Sequence, residues 1–191
     1  QEAEVIVVNT CGFIGPAKEE SVNTILEMAQ YKEAGTCEKL VVAGCLTQRY
    51  ADEVAAEIPE IDHLLGSSDM LKLGEVLDRD AARMLVGNPA DYTMRAADPR
   101  VLTQAGHSAY MKIAEGCNRS CSFCAIPSFR GKQRSRNIED LVREAEQLVD
   151  LGVRELCLIS QDTIAWGRDL PERRGLADLV SALSEVQGLR W

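Results

Sequence analysis

The chain has 191 residues, 46% of them hydrophobic, and a formal net charge of −9. That length gives one or two domains with a real core, and the composition is ordinary for a soluble protein. No apolar run approaches the roughly 20 residues of a membrane span, and the start does not read as a signal peptide, so a cytoplasmic protein away from the membrane is expected.

The charge is uneven. Residues 1–108 hold 18 acidic against 9 basic side chains, whereas residues 109–191 hold 12 of each. An acidic surface repels phosphate backbones and favours a basic protein partner; simple solubility explains the same excess equally well. Seven cysteines, three in a tight group, indicate reduced thiols in a reducing compartment. The chain opens almost directly in a strand and stops as another begins, so it reads as a fragment cut at both ends.

In chain order, residues 4–10 contain Val5-Ile6-Val7-Val8, a continuous apolar run suited to a strand buried on both faces of a parallel sheet. Residues 16–34 read as a helix: Pro16 fits a first turn, and Val22, Ile25, Leu26 and Ala29 form one apolar stripe. A second buried strand spans 39–44 and a second helix 48–57. Residues 61–65 give a short third strand, and Ser68 or Asp69 caps a helix reaching about Met84. This alternation predicts a parallel α/β domain over 1–85. Within it, Val7-Val8-Asn9-Thr10-Cys11-Gly12 nearly repeats as Val41-Val42-Ala43-Gly44-Cys45-Leu46. Cys11 and Cys45 therefore fall at the carboxyl ends of parallel strands, where α/β sheets place binding crevices. Two small buried residues closing two strands would give the same pattern. Cys37, in the connection before the second strand, reads as structural.

Residues 86–108, with Gly87, Pro89, Pro99 and Gly106, have the composition of an inter-domain linker. His63 and His107 have nothing at ligand spacing around them and read as ordinary residues. A strand is predicted over 109–114, broken by Glu115-Gly116. Then come Cys117, Cys121 and Cys124, spaced C-x₃-C-x₂-C. Thiolates this close on a loop converge on a soft metal centre. Three of them satisfy three irons of a cubic cluster and leave the fourth open. A closed structural zinc site wants four ligands, and no His follows nearby; zinc and a disulfide remain the rivals.

Arg130, Lys132, Arg134 and Arg136 follow, either as forks for a carboxylate or phosphate or as a solvated basic loop. Asn137 is a plausible N-cap for a helix whose face is Ile138, Leu141, Val142, Ala145, Leu148 and Val149, closed by Gly152. Residues 153–160 form the next strand, with Cys157 in its interior as core and Gln161 and Asp162 at its carboxyl end, the active edge of a β/α barrel. A helix over 175–186 and a third strand from Leu189 complete the order.

C-x₃-C-x₂-C after a first strand resembles the signature of radical S-adenosylmethionine (SAM) enzymes. The flanking Glu115-Gly116-Cys117-Asn118, Cys124-Ala125-Ile126-Pro127-Ser128-Phe129-Arg130-Gly131 and Ser135-Arg136 resemble the methylthiotransferase family. The resemblance implies an N-terminal α/β domain (1–85), a linker (86–108) and the first third of a radical SAM partial β/α barrel (109–191). It implies a 4Fe–4S cluster on Cys117, Cys121 and Cys124 whose open iron binds SAM, cleaved to a 5′-deoxyadenosyl radical. Cys11 and Cys45 would be two ligands of a second, auxiliary 4Fe–4S cluster, its third motif preceding Gln1. Phe123, Arg130, Gln161 and Asp162 would contact SAM or substrate. A methylthio group would then enter an unactivated C–H bond, with electrons from a donor such as flavodoxin or ferredoxin. Ile159-Ser160-Gln161-Asp162-Thr163 leans toward the branch that modifies the β-carbon of an aspartate in ribosomal protein S-twelve of the small subunit. The alternative branch acts on a tRNA adenosine beside the anticodon; a non-catalytic zinc-binding module is the reading from another class.

Overall fold

The computed structural model describes residues 3–78, 81–103 and 106–191. The chain divides into two compact units: Gln1–Tyr92 with Cys121–Arg130, and Thr93–Ser120 with Gly131–Trp191.

In the first unit, strands β1 (Val5–Thr10), β2 (Lys39–Gly44), β3 (His63–Leu65) and β4 (Met84–Leu85) form a parallel sheet in that order. Helix α1 (Gly15–Ala34) links β1 to β2, and α2 (Cys45–Glu57) links β2 to β3. β2, flanked on both sides, is buried from Leu40 to Gly44. β1 lies at the end of the described sheet, and Val7 is 40% exposed, so the expectation of burial on both faces fails there. On α1 the buried residues are Ser21, Ile25 and Ala29. Leu26 lies 47% exposed, one step off that stripe. Val8, Ile25, Leu40, Val42, Val54 and Leu64 make the core on one side of the sheet.

Two elements differ from expectation. The helix α2 begins at Cys45 itself rather than at Gln48, with a kink at Tyr50 (φ −137°, ψ 36°). The helix expected from Ser68 or Asp69 to Met84 is a 3₁₀ helix over Met70–Leu77, followed by β4; residues 79–80 lie outside the described ones. Asp69 makes no cap bond because its carboxylate is engaged elsewhere. It accepts from Gly87 N at 2.9 Å and from Lys72 Nζ at 2.7 Å. That bond raises the Lys72 ammonium above its ordinary pKa.

In the second unit, β5 (Ser108–Lys112) pairs in parallel with β8 (Glu155–Ile159), Tyr110 opposite Cys157. Between them run β6 (Ala114–Glu115), β7 (Arg134–Ser135) and α4 (Ile138–Asp150); α3 (Ile126–Arg130) belongs to the first unit. α5 (Leu176–Ser184) follows β8. The strand expected over 109–114 is interrupted at Ile113, and Ala114–Glu115 pairs antiparallel with β7, so Glu115 continues the pairing instead of ending it. Asn137 caps α4, its Oδ1 accepting from Asp140 N at 2.8 Å. Met111, Ile113, Leu141, Ala145, Leu148 and Trp166 lie in the core. Trp166, which sequence periodicity did not pick out, is fully buried and donates from Nε1 to Ile113 O at 3.1 Å. Cys157, expected as core, is only half-buried. Residues 189–191 form no strand, but their backbone follows β8: Leu156 N donates to Trp191 O at 2.8 Å.

Candidate metal and cofactor site

Parallel pairing ends at Thr10 opposite Gly44, so the next residues, Cys11 and Cys45, step off neighbouring strands at the same level. Gly44 makes this possible. Its φ is +109°, and a Cβ there would meet Thr10 O at 2.6 Å and Asn9 Oδ1 at 2.8 Å. Hydroxyl groups secure the strand ends: Thr10 Oγ1 donates to Ala43 O at 2.6 Å, and Thr47 Oγ1 shares its one proton between Gly44 O, at 2.8 Å, and Leu65 O. Cys11 is exposed, and its N–H donates to Ser21 Oγ at 3.0 Å. Cys45 is buried.

Arg130, the last residue of α3, donates from Nη2 to Cys45 Sγ at 2.9 Å. Buried Phe129 seats that helix, and Ser67 Oγ donates to Phe129 O at 3.4 Å. Arg49 Nη1 donates to Gly12 O at 3.1 Å, and its guanidinium lies 4.9 Å from the Tyr50 ring centre. Cys37 is buried away from this edge, its Sγ 3.4 Å from Lys39 O, consistent with packing alone.

The C-x₃-C-x₂-C loop is shared between the units. Cys121 and Cys124 belong to the first, where Cys124 N donates to Cys121 O at 3.1 Å in a turn. Phe123, 86% exposed, extends from that turn. Cys117 belongs to the second unit and is buried; its N–H donates to Gly131 O at 3.1 Å, and Arg119 N lies 3.4 Å from its Sγ. Gly116 brings the two chain segments together. At φ +77° it lies so close to the carbonyls of Gly131 and Lys132 that any Cβ would strike both.

At the carboxyl end of β8, the Asp162 carboxylate takes Arg119 Nε at 2.6 Å, which holds that carboxyl below its usual range. Gln133 donates from its backbone N to Asn118 Oδ1 at 3.1 Å and from Nε2 to Asp162 O at 3.4 Å. These bonds tie the residues after Cys117 to the end of β8. The Oε1 atoms of Gln133 and Gln161 are buried with no hydrogen-bond partner among the described residues. Such acceptors cost free energy unless a donor arrives.

Arg136, read either as an anion-binding fork or as part of a solvated basic loop, is instead buried against carboxylates of the chain itself. It meets Asp140 at 2.6 Å and Glu144 at 2.5 Å, while Arg100 takes the other oxygen of Glu144 at 2.5 Å. The signal available in the sequence was Asp140 and Glu144 at helical spacing on α4, three and seven residues after its N-cap.

Among the described residues, no three His, Cys, Asp or Glu side chains form a group that could hold a metal ion. Three free thiols on a loop and two strand-end thiols are nonetheless the soft donor set that an iron–sulfur cluster takes. Two orphaned amide oxygens at the barrel-type strand end suit a ligand with N–H or O–H donors. By donor chemistry the residues present suit an iron–sulfur cluster and a small polar ligand.

Residues 1–66 match a family described as Uncharacterized protein family UPF0004, and residues 111–185 match the radical SAM superfamily. The chain is thus an α/β protein in which a UPF0004 domain precedes a radical SAM domain. Over its whole length it is 64% identical to a protein of Sorangium cellulosum (strain So ce56), 52% to one of Myxococcus xanthus (strain DK1622) and 48% to one of Syntrophus aciditrophicus (strain SB). Each of the three is named ribosomal protein uS12 methylthiotransferase RimO. The chain spans 40% of the length of the first two and 44% of the third. It carries a domain of the radical SAM superfamily and is similar over its whole length to these methylthiotransferases.

Proposed function

We propose that this chain is part of a methylthiotransferase that inserts a methylthio group at the β-carbon of an aspartate in ribosomal protein S-twelve. The observation that carries the reading is the polar edge of the second unit. There the loop after Cys117 is bonded to the end of β8 through Asn118, Gln133, Arg119 and Asp162, beside two buried, unpartnered amide oxygens. Cys117, Cys121 and Cys124 would hold a 4Fe–4S cluster, and Cys11 and Cys45 two corners of an auxiliary one. When bound, the first cluster and SAM supply one-electron reductive cleavage chemistry. The chain's own part is to hold and orient. Gln133 and Gln161 offer acceptors to the amino or hydroxyl groups of SAM, and Asp162 keeps Arg119 folded toward the strand end. Phe123, exposed on the turn between Cys121 and Cys124, offers its backbone and ring to a purine face.

The acidic excess of residues 1–108 supports a basic ribosomal protein over a phosphate backbone as partner. A soluble low-potential donor such as flavodoxin or ferredoxin supplies the electrons. Among the described residues no helix is long and apolar enough to cross a membrane, and the setting proposed is the cytoplasm.

The test uses the full-length protein, purified without oxygen. Iron and sulfide in equal amounts, with SAM cleavage lost in Cys117→Ala, are the expected outcome; stoichiometric zinc without sulfide would make it a binding module instead. Mass spectrometry of ribosomal proteins and tRNA nucleosides from a host lacking its own methylthiotransferases reads the substrate. A methylthio group on the tRNA adenosine would replace the ribosomal reading.

A further inference from the structure

We infer that Arg130 tunes the sulfur of Cys45, so that the fork following the C-x₃-C-x₂-C loop serves the auxiliary cluster rather than SAM. The inference rests on reading Cys45 as an auxiliary-cluster ligand. Arg130 Nη2 donates to Cys45 Sγ at 2.9 Å, short for a bond to sulfur. The guanidinium stays protonated at any working pH, so the sulfur has a permanent cation against it. Cys45 is 8% exposed, which keeps water from screening that charge.

The contact is built rather than incidental. Cys45 is the first residue of α2, and α3, which packs against α2, carries Arg130 at its last position. Phe129 is buried beside it, and Ser67 holds the Phe129 carbonyl, so the arginine leaves a fixed point on the backbone. Cys11 differs: it is exposed, and its backbone N–H donates to Ser21 Oγ. The two strand-end thiols are therefore inequivalent, and the cation acts through Cys45.

Hydrogen bonds to ligand sulfurs and nearby charge set the reduction potential of an iron–sulfur centre. A cation stabilises the more negative, reduced state, so Arg130 raises the auxiliary potential. Arg130 also closes the short helix that follows the loop of Cys121 and Cys124. Ordering that loop around its own cluster fixes the arginine at the same time.

The experiment uses the full-length protein with Cys117, Cys121 and Cys124 all changed to Ala, which leaves one cluster to titrate. Potentiometric titration followed by electron paramagnetic resonance compares Arg130 with Arg130→Lys and Arg130→Met. We expect Arg130→Met to favour the oxidised cluster about tenfold, roughly 59 mV for one electron, with Arg130→Lys in between. In the otherwise native enzyme, SAM affinity should be unchanged by Arg130→Met. Loss of the auxiliary cluster in Arg130→Met but not in Arg130→Lys would also support the contact. An unmoved potential overturns the inference, and tenfold weaker SAM binding alongside it would make Arg130 a cofactor ligand. If the triple-alanine protein with Arg130 intact holds no iron, the auxiliary-cluster reading itself falls, before any Arg130 variant is compared.

Discussion

Both units bring cysteine-bearing segments to the carboxyl ends of parallel strands, yet they hold those segments in different ways. At the end of β1 and β2 the bonds are mostly neutral: hydroxyls of Thr10, Thr47 and Ser21 on backbone groups, with Gly44 turning the chain. Around β5 and β8 they are mostly ionic: Arg119 with Asp162, Lys112 with Glu115, and Arg136 between Asp140 and Glu144. The sheets account for the difference. β2 has a partner on each side, so its backbone is saturated and only its end needs securing. β8 pairs with β5, Leu156 N also reaches Trp191 O, and side-chain charges secure the strand's end. A neutral strand end should be sensitive to shape; an ionic one, to charge.

The largest effect expected from that contrast is at Arg136. Its side chain is almost wholly buried, and it faces two carboxylates. Arg136→Met leaves Asp140 and part of Glu144 without their cation, and breaking a buried pair from one side costs about 3–5 kcal/mol. Urea unfolding followed through buried Trp166 measures it, and a loss below about 1 kcal/mol would show that the network is dispensable. In the first unit the matching change is steric. Gly44→Ala must place a methyl group against Thr10 O at positive φ, at a cost of about 1–3 kcal/mol. Thermal unfolding reads that loss, and it should be unaffected by salt. Removing the α4 cap, Asn137→Ala, should cost about 1 kcal/mol by the same urea assay.

How much of this was legible in the sequence follows the same division. Apolar periodicity carried the main-chain plan: β1, β2, α1, α4 and α5 fall where the runs and stripes put them, because burial of one face is what those patterns encode. The strand-end positions of Cys11 and Cys45 were legible as a repeat. What was not legible depends on partners distant in the chain. Val7 is exposed on one face of β1, and what covers each face is not stated by a single strand's composition. Asp69 looked like a cap but is claimed by Gly87, eighteen residues on. Arg130 and Arg136 looked alike as exposed forks; one meets a sulfur 85 residues away, and the other lies beneath α4 carboxylates. The lengths of β6 and β7, two residues each, are below what periodicity resolves.

The smallest effect, and the sharpest test of the ionic side of the comparison, is at Asp162. Arg119 is 54% exposed, so solvent screens the pair and its contribution should stay below about 1 kcal/mol. The Arg119 guanidinium depresses the Asp162 carboxyl below its ordinary value. A carboxyl with a depressed folded pKa contributes stability above its unfolded pKa. That contribution is lost as pH falls through the folded value, when the carboxylate is protonated. Asp162→Asn should therefore be slightly less stable than the parent at neutral pH and low salt. The gap should close under acid, and also at about 1 M salt, where the Debye length is near 3 Å. A gap that persists in both conditions would mean that the Asp162 side chain acts through a neutral hydrogen bond and its packing and not through its charge. The second unit's strand end would then be held as the first unit's is, by neutral bonds.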